Sequence, residues 1–155
     1  MKIAIVEENQ IVRQGMSHIV QMIVVHADLV SVASLTDWQL AYPGVQPDIV
    51  LKVVRKSEQV DQVVTMFVHK IRALFPGVFV ILLSGDMRKS TIQKYLANGV
   101  KGYLDKAADV NELQDCIEKV AKGDTYLNVE IIFNLLREKG GQGKGNLQSR
   151  KTTEA

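Results

Sequence analysis

Three short runs of nearly continuous aliphatic residues constrain this chain most: Ile3 to Val6, Asp48 to Val54 and Val78 to Leu83. Each is too short to be a buried helix, and each is followed by turn or polar residues. A strand reads this way only when both of its faces are covered. That is the condition of an interior strand in a parallel sheet, whose crossover helices lie on both sides. Lys52 is the one charge inside the second run.

The stretches between the runs have helical spacing. Ile11, Val12, Met16, Ile19, Val20 and Ile23 place one apolar stripe over Gln10 to Val24, with Asn9 as its N-cap. Thr36 to Tyr42 is a short helix stopped by Pro43-Gly44, and Ser57 to Phe75 a long one stopped by Pro76-Gly77. Thr91 to Asn98 ends at Gly99, and Val110 to Lys122 starts from an Asp109 cap. Leu29 to Ala33 and Gly102 to Leu104 supply two further strands. The expectation is an α/β fold: a five-stranded parallel sheet, doubly wound, with helices on both faces. It occupies residues 1–124. A linker helix is expected within 125–139. Residues 140–155 hold almost no apolar side chain, and the expectation there is a disordered tail.

Charge and composition exclude several roles. The net charge is +2, divided as +3 from Arg137 onward and −1 before it, so no strong basic field points to nucleic acid. The single cysteine, Cys116, lies on an apolar helical stripe, where it reads as a small core hydrophobe. His18, His26 and His69 lack ligand spacing, so no zinc site is expected. There is no phosphate-cradling glycine loop and no serine–histidine–acid set, so no enzyme activity is expected. No apolar run approaches a membrane span, and a cytoplasmic location without membrane contact is the expectation. Trp38 is expected to pack the second helix onto the sheet.

In an open parallel sheet, function sits beyond the carboxyl ends of the strands. Those ends carry Glu7-Glu8, Val53, Ser84 and Lys106. With the segments MKIAIVEENQIVRQGM, PDIVLKVV, VFVILLSGD, ANGVKGYLDKAADVNEL and GDTYLNVEII, they resemble the receiver domain of two-component response regulators of the NarL/FixJ type, whose fold is flavodoxin-like. The likeness runs from Met1 to about Val129 and marks 1–124 as a receiver-like domain. In the family an acidic pair after strand 1 holds Mg²⁺; Glu7 and Glu8 match it, with Glu8 where aspartate is usual. The family's hydroxyl after strand 4 matches Ser84, its lysine after strand 5 matches Lys106, and its switch aromatic matches Tyr103. Its acceptor aspartate falls on Val53, counting from Pro47-Asp48. Valine offers neither a nucleophilic oxygen nor a metal ligand. The loop that follows is replaced by Val54-Arg55-Lys56-Ser57. Asp48 cannot substitute, because it sits at the other end of the strand, about 16 Å away.

The resemblance therefore implies a degenerate phosphorylation pocket of Glu7, Glu8, Val53, Ser84 and Lys106, with no cofactor and no metal expected (Glu7 and Glu8 being the only candidates for one). The acidic pair reads more readily as a solvated strand end than as a metal site. Two adjacent carboxylates repel, and the expected remedy is the Lys106 ammonium against Glu8 or Glu7. Lys52 is a second pocket lysine only if a bulge or slip swings it across; in regular alternation its stem packs on a helix and its ammonium snorkels out. Tyr103 reads more as a packing aromatic than a mobile switch.

The implied function is an atypical, phosphorylation-independent receiver acting as a signalling and protein-interaction module. The alternative is the receiver part of a NarL-type transcription regulator whose helix-turn-helix domain is absent from this chain, which alone should bind no specific DNA site. In the family, the face of the fourth helix, fifth strand and fifth helix mediates dimers or partner binding. Here it would include Arg88, Lys89, Gln93, Lys94, Tyr95, Asn98, Asp115, Glu118 and Lys119.

Overall fold

The computed structural model describes residues 1–55, 62–128, 131–133 and 135–137. Strands and helices alternate: β1 Lys2–Val6, α1 Gln10–Ile23, β2 Asp28–Val32, α2 Leu35–Ala41, β3 Ile49–Val53, α3 Val63–Leu74, β4 Phe79–Ser84, α4 Lys89–Ala97, β5 Gly102–Asp105, α5 Val110–Ala121 and β6 Tyr126–Leu127. All pairings are parallel, in the order β2-β1-β3-β4-β5-β6. The expected sheet of five strands is thus extended by a sixth. Tyr126 and Leu127 align with Gly102 and Tyr103. A two-residue strand between polar neighbours has no periodicity to betray it; only the bare edge of β5 creates it.

Alternation along the strands sorts the core onto two faces. Ala4, Val6, Val50, Val80, Leu82 and Tyr103 face one side, under α2, α3 and α4 through Leu35, Trp38, Val64, Val68, Ile71, Ile92 and Tyr95. Ile3, Ile5, Ile49, Leu51, Ile81, Leu83 and Leu104 face the other, under α1 and α5 through Val20, Leu113, Cys116, Ile117 and Val120. This is the doubly wound arrangement, and it directs every strand's carboxyl end to one edge of the molecule.

Local chemistry sets the helix boundaries. The Asn9 side chain accepts the Val12 N–H at 3.1 Å, and Ser34 accepts that of Asp37 at 3.1 Å. Asp109 and Glu112 form a reciprocal capping box on α5. At the far end of α4, Gly99 has φ +93°, and a Cβ there would stand 2.2 Å from the Arg72 guanidinium. Only glycine permits both that backbone and the Arg72 bond to the Asn98 carbonyl at 2.8 Å.

Trp38 is buried as expected. Its indole N–H donates to the Val45 carbonyl at 3.0 Å, and its ring lies 5.0 Å from Tyr42 and 6.5 Å from Phe75. The helix expected from Ser57 is described only from Val63, since residues 56–61 lie outside the described residues. Within 125–139, Tyr126–Leu127 form β6, and 131–133 and 135–137 are helical, with Ile131 buried in the core on the side covered by α2, α3 and α4. The tail at 140–155 lies outside the described residues. Among the described residues, no helix is long and apolar enough to cross a membrane.

Candidate functional site

The strand register places the pocket residues side by side. Val6 is level with Lys52, so Glu7 and Val53 are the next residues along β1 and β3. Val53 is level with Leu83, and Ser84 with Asp105. Lys106 follows β5, its N–H bound to the Ser84 carbonyl at 3.1 Å. The carboxyl end of β3 therefore presents an isopropyl group between an acidic pair and a serine.

Glu7 is a buried carboxylate, its side chain 3% exposed. One oxygen accepts the Asn9 N–H at 2.6 Å. The Arg55 Nη2 lies 3.7 Å from that oxygen and 2.9 Å from Glu8 Oε2. Arg13 braces the same turn from α1, donating to the carbonyls of Glu7 at 2.7 Å and Glu8 at 3.3 Å. The cation beside the acidic pair is thus Arg55, and the expectation that Lys106 would fill this role is corrected. Two strands, β3 and β4, separate β1 from β5. At ~4.8 Å per strand, that puts about 14 Å between the two backbones. Lys106 is exposed and makes no ion pair among the described residues. Arg55 is the second residue after β3, the strand next to β1, so a short reach suffices.

Lys52 stays on the regular alternation. No bulge interrupts the register of β3, and the ammonium sits 4.8 Å from the centre of the Phe67 ring on α3. It belongs to the α3 face and not to the pocket, as the unslipped pattern required.

On the far side of Val53 the polar groups form a connected chain. The Ser84 hydroxyl accepts the Asp86 N–H at 3.0 Å. The Asp86 carbonyl accepts the Tyr103 hydroxyl at 2.6 Å. The Asp86 carboxylate takes Arg88 Nη2 at 2.6 Å, Arg88 Nε at 2.9 Å, the Arg88 N–H at 3.1 Å and the Thr91 hydroxyl at 3.1 Å. Bonding to Arg88 holds the Asp86 carboxyl below its ordinary value, outweighing the opposing effect of burial. Tyr103 is fully buried, its ring 5.9 Å from that of Tyr95, and burial raises its phenol well above the ordinary range. Sequence reading missed Arg55, Asp86 and Arg88 as site residues. The available signal for Arg55 was a cation standing two residues past the acceptor position.

A receiver of the resembled family would hold Mg²⁺ here, and the residues do not fit it. Mg²⁺ demands compact octahedral oxygen ligation. Glu7 and Glu8 are already turned onto a guanidinium, and Val53 contributes no ligand. Among the described residues, no group of three or more His, Cys, Asp or Glu side chains is placed to hold a metal ion.

Of the nine residues expected on the partner face, six are exposed, Lys89 and Asn98 are half-buried and Tyr95 is buried. Tyr95 is buried against Tyr103 and so is no surface residue, whereas Arg88, Gln93, Lys94, Asp115, Glu118 and Lys119 are exposed. Between α4 and α5, β6 covers the outer edge of β5.

A doubly wound sheet with its functional edge at the strand carboxyl ends is the flavodoxin-like receiver fold. No protein-family model matches the chain. Among curated proteins it is similar to the oxygen regulatory protein NreC of Staphylococcus aureus, 29% identical over 141 residues, and to that of Staphylococcus haemolyticus, 28% identical. The chain spans 63% of the length of these relatives, and the likeness covers 89% of the chain. Among solved structures it is similar to a LuxR-family two-component response regulator from Aurantimonas, at a TM-score of 0.74 and 21% identity, covering 89% of this chain and 96% of that one. It is also similar to the isolated receiver domain of RcsB from Salmonella enterica serovar Typhimurium, at 0.71 and 15%, covering 87% and 98%. Sequence likeness and fold together support a receiver domain of the NarL/LuxR response-regulator kind.

Proposed function

We propose that this chain is a receiver-fold signalling module that works without aspartyl phosphorylation, through contact with a protein partner or a second copy. Val53 carries the reading: it stands at the end of β3, where a phosphoryl acceptor would have to be. Forming an acyl phosphate requires a carboxylate oxygen to attack phosphorus, and an isopropyl group has no lone pair to offer. The neighbours favour the same conclusion. The Ser84 hydroxyl and Tyr103 are bonded through Asp86, so the elements that would answer a phosphoryl group are already engaged. The partner face is the exposed polar surface of α4 and α5 with β6 between them; its mixed charges suit a reversible contact better than a permanent apolar one.

A second reading follows from the relatives, of whose length the chain spans 63%, and from structural neighbours that include a DNA-binding response regulator and an RcsB–DNA complex: it is the receiver part of a DNA-binding regulator. Both readings share the same test of the pocket. The chain is treated with Mg²⁺ and acetyl phosphate or beryllofluoride, and two-dimensional amide spectra are followed. The expected result is no saturable shift at Ser84, Tyr103 and Lys106. A concerted, saturable shift of those amides would refute phosphorylation independence.

A further inference from the structure

Glu7 poses a physical problem that its neighbours must solve. A carboxylate that is 3% exposed has given up most of its hydration, and one backbone N–H from Asn9 replaces only part of it. Glu8 stands beside it with a second negative charge and is 72% exposed. Such a pair is stabilised by a cation, and here the chain itself supplies one. Arg55 meets the requirement geometrically. One Nη2 reaches both carboxylates, at 2.9 Å and 3.7 Å, from the residue second after β3. A guanidinium is less strongly hydrated than an ammonium, so it tolerates this half-buried position, where the Arg55 side chain is 42% exposed.

We propose that the Arg55 guanidinium is the resident cation of the acidic pair, occupying the place of a divalent metal and tying the segment after β3 to the end of β1. One of the pair's two negative charges is then offset without any ion from solution. Its geometry does not respond to divalent metal concentration, and the start of the β3–α3 connection is pinned whether or not a partner is bound. This deepens the phosphorylation-independent reading and rests on it for the claim that no metal is needed. It adds a separate statement: one named side chain does the metal's electrostatic work.

The test uses the full isotope-labelled chain and Mn²⁺ as probe, read by paramagnetic broadening of the amides of Val6, Glu7, Glu8, Val53 and Val54. The unaltered chain should show no selective broadening there. Arg55→Ala should gain selective, saturable broadening, with roughly a tenfold or greater rise in apparent Mn²⁺ affinity at this site, because a repelling unit charge has been removed. Adding Glu8→Gln to Arg55→Ala should abolish that gain, and Arg55→Lys should stay close to the unaltered chain. Selective broadening in the unaltered chain overturns the proposal, as does its absence in a folded Arg55→Ala. If Arg55→Ala does not fold, the guanidinium resonances of the unaltered chain decide. Resolved Nη lines that collapse to an average in Glu8→Gln support the assignment, and averaged lines from the outset overturn it. Phosphate incorporation from acetyl phosphate would instead defeat the reading above, and neither failure implies the other.

Discussion

Tyr103→Phe tests the polar chain behind the pocket. The substitution keeps the ring and its packing on Tyr95 and deletes one oxygen, the donor to the Asp86 carbonyl at 2.6 Å. That carbonyl then loses its partner inside a buried turn. An unsatisfied interior acceptor costs ~1–3 kcal/mol, partly offset because no hydroxyl has to be desolvated, so the expected loss is about 1–2 kcal/mol. For a domain of this size, each kcal/mol lowers Tm by about 3–5 °C. The single tryptophan, Trp38, is 1% exposed, so its emission reports global unfolding in urea. The midpoint should fall while the slope is unchanged. The variant should also alter the alkaline limb. Burial raises the Tyr103 phenol above its ordinary 10.0, so its contribution is complete below pH 10.0 and is lost as pH climbs through the folded value. Tyr126 is raised too and remains in both proteins, so the difference between the two alkaline limbs isolates Tyr103. An unchanged midpoint, with an unshifted Asp86 amide, would show that the hydroxyl does not hold this turn.

Two further outcomes probe the frame around the site. Gly102→Ala should destabilise by about 1–3 kcal/mol in the same urea assay, since overpacking a full core costs that much. Its Cβ would stand 2.8 Å from Cys116 Sγ and 3.0 Å from Ile81 Cγ1, both on the α5 face. Stability equal to the unaltered chain would mean that β5 is not seated as described. Cys116 should resist alkylation in the folded chain and react only at the rate of opening, because burial pushes its thiol from 9.0 up to about 12. The sign follows: the thiol's contribution is whole below pH 9.0 and is lost as pH rises toward 12, so Cys116→Ser should show a shallower decline in that window. Fast native-state labelling at neutral pH would contradict this burial.

The α/β architecture was legible in the sequence because burial on both faces leaves a direct trace. Strands such as Val78–Leu83 can be so continuously apolar only inside a parallel sheet, and caps such as Asn9 and Asp109 mark helix starts through bonds to residues three positions away. Local chemistry also placed Lys52, whose side follows from strict alternation along β3. The absence of a carboxylate at Val53 is likewise a fact of the sequence, and the register with Leu83 adds only its neighbours. The rest depended on which distant segments the sheet order brings together. Lys106 and the acidic pair share an edge but are kept apart by two intervening strands, whereas Arg55 and Glu8, 47 residues apart, meet because β1 and β3 are adjacent. No period or spacing encodes that adjacency. The same holds for β6, which exists only because β5 offers an open edge, and for the Asp86–Tyr103 bond, which joins residues 17 apart through a turn and a neighbouring strand. Periodicity decides which face a side chain takes; only the closed tertiary structure decides which charge it meets.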